Sequence, residues 1–269
     1  MRLLEYNNDG EFSLAEFFGD EIPRYAILSH RWGVEEVTLA ALRDGTGKKM
    51  AGYGKIQFCG EQAKRDRLQY FWVDTCCIDK SNSTELAEAI NSMFRWYQNA
   101  TKCYVYLSDV SRRPLDTDDK SIEPWESTFR KSTWFTRGWT LQELIAPASL
   151  GFFSEKGELL GDKVSLERHI CEITGIPVKA LRGSPRSLLS DFSVTERMSW
   201  AERRETACKE DKAYSLLGIF DVNMPLIYGE GKENALKRLR EEIDKASKCR
   251  FFSSITRLGI GKQLTQSRD

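Results

Sequence analysis

Net charge is the first thing this sequence lacks: its 269 residues hold 40 Lys and Arg against 40 Asp and Glu. That balance argues against recognition of nucleic acid or an anionic membrane surface through bulk charge. Long hydrophobic runs are missing too. The apolar stretches fall far short of a membrane span, and the opening MRLLEYNNDGEF has no apolar signal segment behind its one arginine, so a cytoplasmic location is expected. Histidine is scarce: His30 and His169 make neither a metal site nor a Ser-His-Asp triad by themselves. There is no GxGxxG and no P-loop, and Gly229-Glu230-Gly231-Lys232 is too short to stand for either, so any dinucleotide is held without a Rossmann fingerprint. No internal repeat or low-complexity tract appears. Cysteine is present seven times, an odd number, with several positions inside apolar runs, which reads as buried thiols rather than a disulfide framework. The adjacent Cys76 and Cys77 lack a second pair at ligand spacing, and no metal is expected.

Alternating signals for strand and helix fill the first 160 residues. Strands are expected over 22–30, 70–78, 103–108 and 150–153, with helices over 34–43, 56–67, 84–98 (capped by Ser83) and 134–145. YFWVDTCCI at 70–78 is a nearly continuous apolar run of the kind buried on both faces of a parallel sheet, and it contains one charge, Asp74. An irregular connection is expected over 109–130, which holds Pro114 and Pro124. This order predicts a doubly wound, mainly parallel α/β sheet over 1–160. Beyond it, helices over 166–173, 194–205, 210–220 and 230–246 predict a helical annex at 161–246, followed by a tail or linker at 247–269.

The stretch most dense in chemistry is KSTWFTRGWTLQELIAP at 131–147. Leu141, Leu144 and Ile145 recur at helical spacing, Glu143 sits near the edge of that face, and Pro147 ends the helix. A carboxylate beside buried aromatics feels desolvation and any neighbouring cation, which is how active sites retune acids; the plain alternative is a solvated helical Glu. Trp134 is read as core. The polar turn Ser29-His30-Arg31-Trp32-Gly33 closes the first strand, where an open parallel sheet takes its ligands. Trp32 either stacks on a flat ring or plugs the sheet edge, and Ser29 and His30 either meet a ligand or satisfy backbone groups. Asp74 either contacts ligand or pairs with a cation such as Arg137. Arg204, Glu205, Glu210 and Asp211 either form an ion network locking the annex to the sheet or line the cleft.

AILSHRWG at 26–33, FWVDTCCIDK at 71–80 and WFTRGWTLQELIAP at 134–147 resemble, in order, the three signature blocks of the fungal heterokaryon incompatibility (HET) domain. The segment 203–243 resembles the stretch after those blocks in HET domains at the front of fungal NLR-like proteins. The resemblance implies a cell-death effector of non-self recognition, controlled by a downstream nucleotide-binding module. HET domains are in turn similar to TIR domains, flavodoxin-like sheets of which some hydrolyse NAD+, and Trp139 to Leu144 fits the TIR W-x-x-x-E-L helix, with Thr140 where Cys is frequent. That similarity implies Glu143 as the catalytic carboxylate and NAD+ as substrate, with no resident cofactor and with activity gated by self-association. Ser29, His30, Arg31, Trp32, Gly33, Asp74 and Trp139 are then substrate-binding candidates, and Arg137, Arg204 and Asp211 structural or cleft-lining ones. The alternative is a non-catalytic adaptor that signals through HET–HET or HET–effector contacts.

Overall fold

In a computed structural model that describes residues 1–7, 11–111, 124–182 and 189–257, one seven-stranded sheet organises the chain. Its strands are β1 (Arg2–Tyr6), β2 (Phe12–Glu16), β3 (Tyr25–His30), β4 (Tyr70–Trp72), β5 (Lys102–Tyr106), β6 (Leu150–Phe153) and β7 (Leu159–Asp162). They lie in the order β2-β1-β4-β3-β5-β6-β7. The centre, β4-β3-β5-β6, is parallel. Both flanks are antiparallel, β1 against β4 and β7 against β6. Taken in chain order the parallel strands run 2-1-3-4, the flavodoxin-like winding, which reverses direction between β3 and β5.

Helix α2 (Tyr53–Arg65) carries the chain from β3 to β4, and α4 (Ser83–Asn99) carries it back across β3 to β5. Right-handed crossovers in opposite directions put these helices on opposite faces of the sheet. Hence every residue of β3 is buried, as a two-sided parallel strand requires. Within α2, Gly60 admits the sheet: a Cβ there would sit 2.9 Å from rings of Phe12 and Tyr6. Asn82, not Ser83, caps α4, accepting from the amides of Thr84 and Glu85.

Several sequence expectations change in the structure. The strand expected over 70–78 stops at Trp72, and Asp74–Cys77 forms a short helix, α3. Burial on all sides gives the same apolar run to a strand and to a buried turn, so periodicity does not separate them. The helix expected over 34–43 shrinks to α1 (Leu39–Arg43), capped by Thr38. The helix expected over 134–145 breaks in two, a 3-10 turn at Thr133–Thr136 and α6 (Thr140–Ile145). Gly138 sits at the break, where a Cβ would lie 2.4 Å from Thr206 Cγ2 and where its amide bonds the Glu205 carbonyl at 2.8 Å. Of the irregular connection, 112–123 with Pro114 lies outside the described residues, while Pro124–Arg130 is a helix, α5. The hairpin β1–β2 and strand β7 carry no clear alternation, and periodicity does not predict them.

After β7 come α7 (Glu167–Thr174), α8 (Val178–Arg182), α9 (Val194–Glu202), α10 (Asp211–Tyr214), α11 (Leu217–Phe220) and α12 (Lys232–Arg257). The single helix expected over 210–220 is therefore two, and the last helix runs past 246 to Arg257; residues 258–269 lie outside the described residues. α11 packs on α4, and α10 on α12. Four cysteines are buried, Cys171 is half-buried, and Cys208 and Cys249 are exposed. No helix among the described residues is long and apolar enough to cross a membrane.

Candidate functional site

Strand β3 delivers Ser29 and His30 to the carboxyl end of the sheet, beside its point of reversal. Ser29 is fully buried and its hydroxyl donates to Glu143 Oε2 at 2.5 Å. It also accepts from Trp134 Nε1 at 2.9 Å, so the indole fixes the direction in which the serine proton points. Glu143 lies in the first turn of α6, all of whose residues are buried; it is only 7% exposed, so it is not a solvated helical carboxylate. Desolvation pushes its pKa up to about 8, against the Ser29 hydrogen bond; Asp74 raises it further, and the Arg204 cation lowers it. Its resting form at neutral pH is thus mainly the acid.

His30 stands between two carboxylates, with Nε2 3.6 Å from Glu36 and Nδ1 3.8 Å from Asp74. Both ring nitrogens are buried without a hydrogen-bond partner. Glu36 is desolvated, yet His30, the Lys55 ammonium and the Gly33 amide hold its pKa down to about 2. Gly33 N donates to Glu36 Oε1 at 2.5 Å. Asp74 opens α3, and its partners besides His30 are Trp32 Nε1, at 2.8 Å, and Lys80 Nζ, at 3.7 Å, rather than Arg137. Lys80 also lies 3.4 Å from the Trp32 ring centroid, so one indole face carries a cation while the side chain stays 48% exposed overall. Arg31, exposed, reaches across to Thr133 Oγ1 at 3.0 Å. That hydroxyl donates to Asp109 at 2.6 Å, tying the loops after β3 and β5 together across the reversal point.

Ser29, His30, Arg31, Trp32, Gly33, Asp74 and Glu143 therefore converge on one end of the sheet. Trp139 and Asp211 pair with each other instead: Trp139 Nε1 donates to Asp211 Oδ2 at 3.1 Å, and Tyr228 donates to its other oxygen at 3.0 Å. Arg204, buried, donates to the Arg137 carbonyl and to Thr140 Oγ1, both at 2.9 Å. Glu210 accepts the amides of Gly229 and Gly231 at 3.0 and 2.9 Å. Hydrogen bonds to backbone and side-chain groups, rather than ion pairs among Arg204, Glu205, Glu210 and Asp211, thus hold the annex. Sequence reasoning missed Glu36, Lys55, Lys80, Asp109 and Thr133. Lys80 lies inside a signature block and was open to discovery; the others have no periodic or motif signal. A cavity of about 280 Å³ lined by Arg24, Tyr25 and Trp96 opens at the amino ends of the strands, away from this cluster.

Among known proteins, residues 25–123 match the model of the family described as Heterokaryon incompatibility protein (HET). The chain is 60% identical over 252 residues to the Vegetative incompatibility protein HET-E-1 of Podospora anserina. That alignment takes in 93% of this chain and 18% of the relative, so the chain spans less than a fifth of the relative's length. No solved structure matches.

Proposed function

Since the chain carries a heterokaryon incompatibility domain, we propose that it acts in heterokaryon incompatibility as a cell-death effector, by hydrolysing NAD+ to nicotinamide and ADP-ribose. The observation that supports this reading is the buried Glu143, hydrogen-bonded to Ser29 at the carboxyl ends of the parallel strands, where doubly wound sheets bind nucleotides. Its sequence setting has the TIR-like pattern.

Nicotinamide in NAD+ is already a cation and leaves as a neutral molecule, so cleavage of the glycosidic C–N bond needs no strong general acid. The demand falls on stabilising an oxocarbenium-like ribose, which water then captures with release of one proton. A carboxylate in a dry pocket does this well. The approaching cationic ring favours ionisation of Glu143, offsetting the desolvation that keeps it protonated at rest. Ser29 orients the carboxylate, the exposed part of the Trp32 ring stacks on a base, and Arg31 meets the diphosphate. Self-association of the domain, under control of a nucleotide-binding module farther along the full protein, gates the reaction.

The cellular test is the NAD+ pool in cells expressing the wild type or Glu143→Gln. Loss of NAD+ before death in the wild type, and neither loss nor death in the variant, supports hydrolysis. Death with an intact pool, retained by Glu143→Gln, makes the domain an adaptor.

A further inference from the structure

The helix that carries Glu143 is too short to hold itself. α6 has six residues, and a helix of that length is not stable in water alone, so its ends must be fixed from outside. Two buried cations from the second half of the chain sit at those ends. At the start, Arg204 Nη1 donates at 2.9 Å both to the carbonyl of Arg137 and to the hydroxyl of Thr140, the first residue of α6. The guanidinium is itself held, its Nε donating to the Trp200 carbonyl at 3.2 Å. At the finish, Lys163 Nζ donates to the carbonyls of Ile145 and Pro147 at 3.0 and 3.1 Å. Its backbone amide is pinned to the Leu150 carbonyl at 3.0 Å, so the side chain hangs from the sheet edge. Lys163 is 6% exposed and Arg204 3% exposed, and each spends its charge on neutral oxygen acceptors at the ends of α6.

From this geometry we propose that Lys163 and Arg204 form a two-point clamp on α6 that sets the depth at which the Glu143 carboxyl is held against Ser29. They are positioning residues and touch no reacting atom. A lysine on the last carbonyls of a helix satisfies acceptors that the helix leaves open and suits the negative end of its dipole. Arginine at the first turn opposes the dipole, yet its planar guanidinium bonds the Arg137 carbonyl and the Thr140 hydroxyl through Nη1 and the Trp200 carbonyl through Nε, with Nη2 left unpartnered among the described residues, and an ammonium on a flexible stem does not reproduce that fixed geometry. Burial lowers Lys163 to a pKa of about 8 and Arg204 to about 10, so both still carry charge at neutral pH. The Arg204 charge also favours ionised Glu143, which couples the clamp to the proposed reaction, on which the catalytic consequence alone rests.

The decisive experiment uses Lys163→Met and Arg204→Lys and reads the Glu143 carboxyl directly. Glutamate labelled with 13C at Cδ is titrated by NMR, with Glu143→Gln assigning the signal, and hydrogen exchange is measured across 140–146 and across β5. The clamp predicts that in each variant the Glu143 pKa falls by at least about one unit as the carboxyl reaches water. It predicts that α6 amides exchange about tenfold faster while β5 amides stay within about twofold. An unchanged titration, or faster exchange spread evenly over α6 and β5, overturns it; if one variant does not fold, the other decides. Nicotinamide release from NAD+ is followed in parallel, and here kcat falls about tenfold with KM held within about twofold. Absence of turnover in the wild type, even when the domain is clustered, sinks the hydrolase reading and leaves the titration to judge the clamp.

Discussion

Replacing Glu143 by Gln removes its titration while keeping the shape, and the structure fixes how stability then depends on pH. Glu143 is desolvated, and its pKa moves from an ordinary 4.5 to about 8. The folded protein therefore binds a proton that the unfolded chain releases above its own pKa, so the native state loses stability as pH rises through this window. The acid form's advantage is complete below 4.5 and gone above about 8. With each unit worth about 1.4 kcal/mol, the wild type gives up about 2.5 kcal/mol between pH 5 and pH 7, and about 3.5 kcal/mol by pH 8, relative to the amide. Gln still accepts from Ser29, and near pH 5 the two proteins differ by no more than about 1 kcal/mol. Urea unfolding at pH 5, 6, 7 and 8, compared at equal m-value, isolates the effect, because every other titrating group is shared. Glu143→Gln should overtake the wild type as pH rises. Parallel curves across the range would refute the placement of Glu143 in a dry, unpaired site.

Other consequences are quicker to test. A Trp32 stacking role is worth about 1–2 kcal/mol, so Trp32→Ala should raise KM for NAD+ about tenfold with kcat nearly unchanged; a fall in kcat alone would make Trp32 a structural plug. In the proposed mechanism Glu143 acts as the carboxylate, so kcat/KM should climb with pH and level near its pKa of about 8, and a flat profile from pH 6 to 8 would count against a carboxylate in that role. In the annex, an added Cβ at Gly218 would lie 2.0 Å from Phe94 Cβ, where α11 meets α4. Gly218→Ala should therefore cost about 1–3 kcal/mol in urea unfolding, and a loss below about 0.5 kcal/mol would mean that the contact yields.

What could be read in the sequence depended on which physical signal each residue leaves. The parallel centre was legible because two-sided burial demands apolar runs, and β3, β5 and β6 supply them. The same rule misled at Val73–Ile78, where burial on all sides disguised α3 as strand and put Asp74 in a sheet instead of at a helix start. Glu143 and Ser29 belonged to recognisable blocks. Their hydrogen bond, across a separation of 114 residues, is a product of topology alone. The ion network that stood as one of two readings of the annex charges does not form, for a related reason: composition shows that charges are present, whereas the fold decides that Arg204 meets carbonyl and hydroxyl oxygens and that Glu210 meets glycine amides. Lys163 left no trace at all, since a single lysine after a short edge strand looks like any solvated one until the chain folds over it.

The central claim, that this domain breaks the nicotinamide glycosidic bond of NAD+ with Glu143, is tested most directly by following nicotinamide release chromatographically. Wild type and Glu143→Gln are compared at low protein concentration and again with the domain forced to cluster. The account predicts turnover in the wild type, raised by clustering, and its loss in the variant. A clustered wild type that releases no nicotinamide, beside a variant that still kills cells, would contradict it.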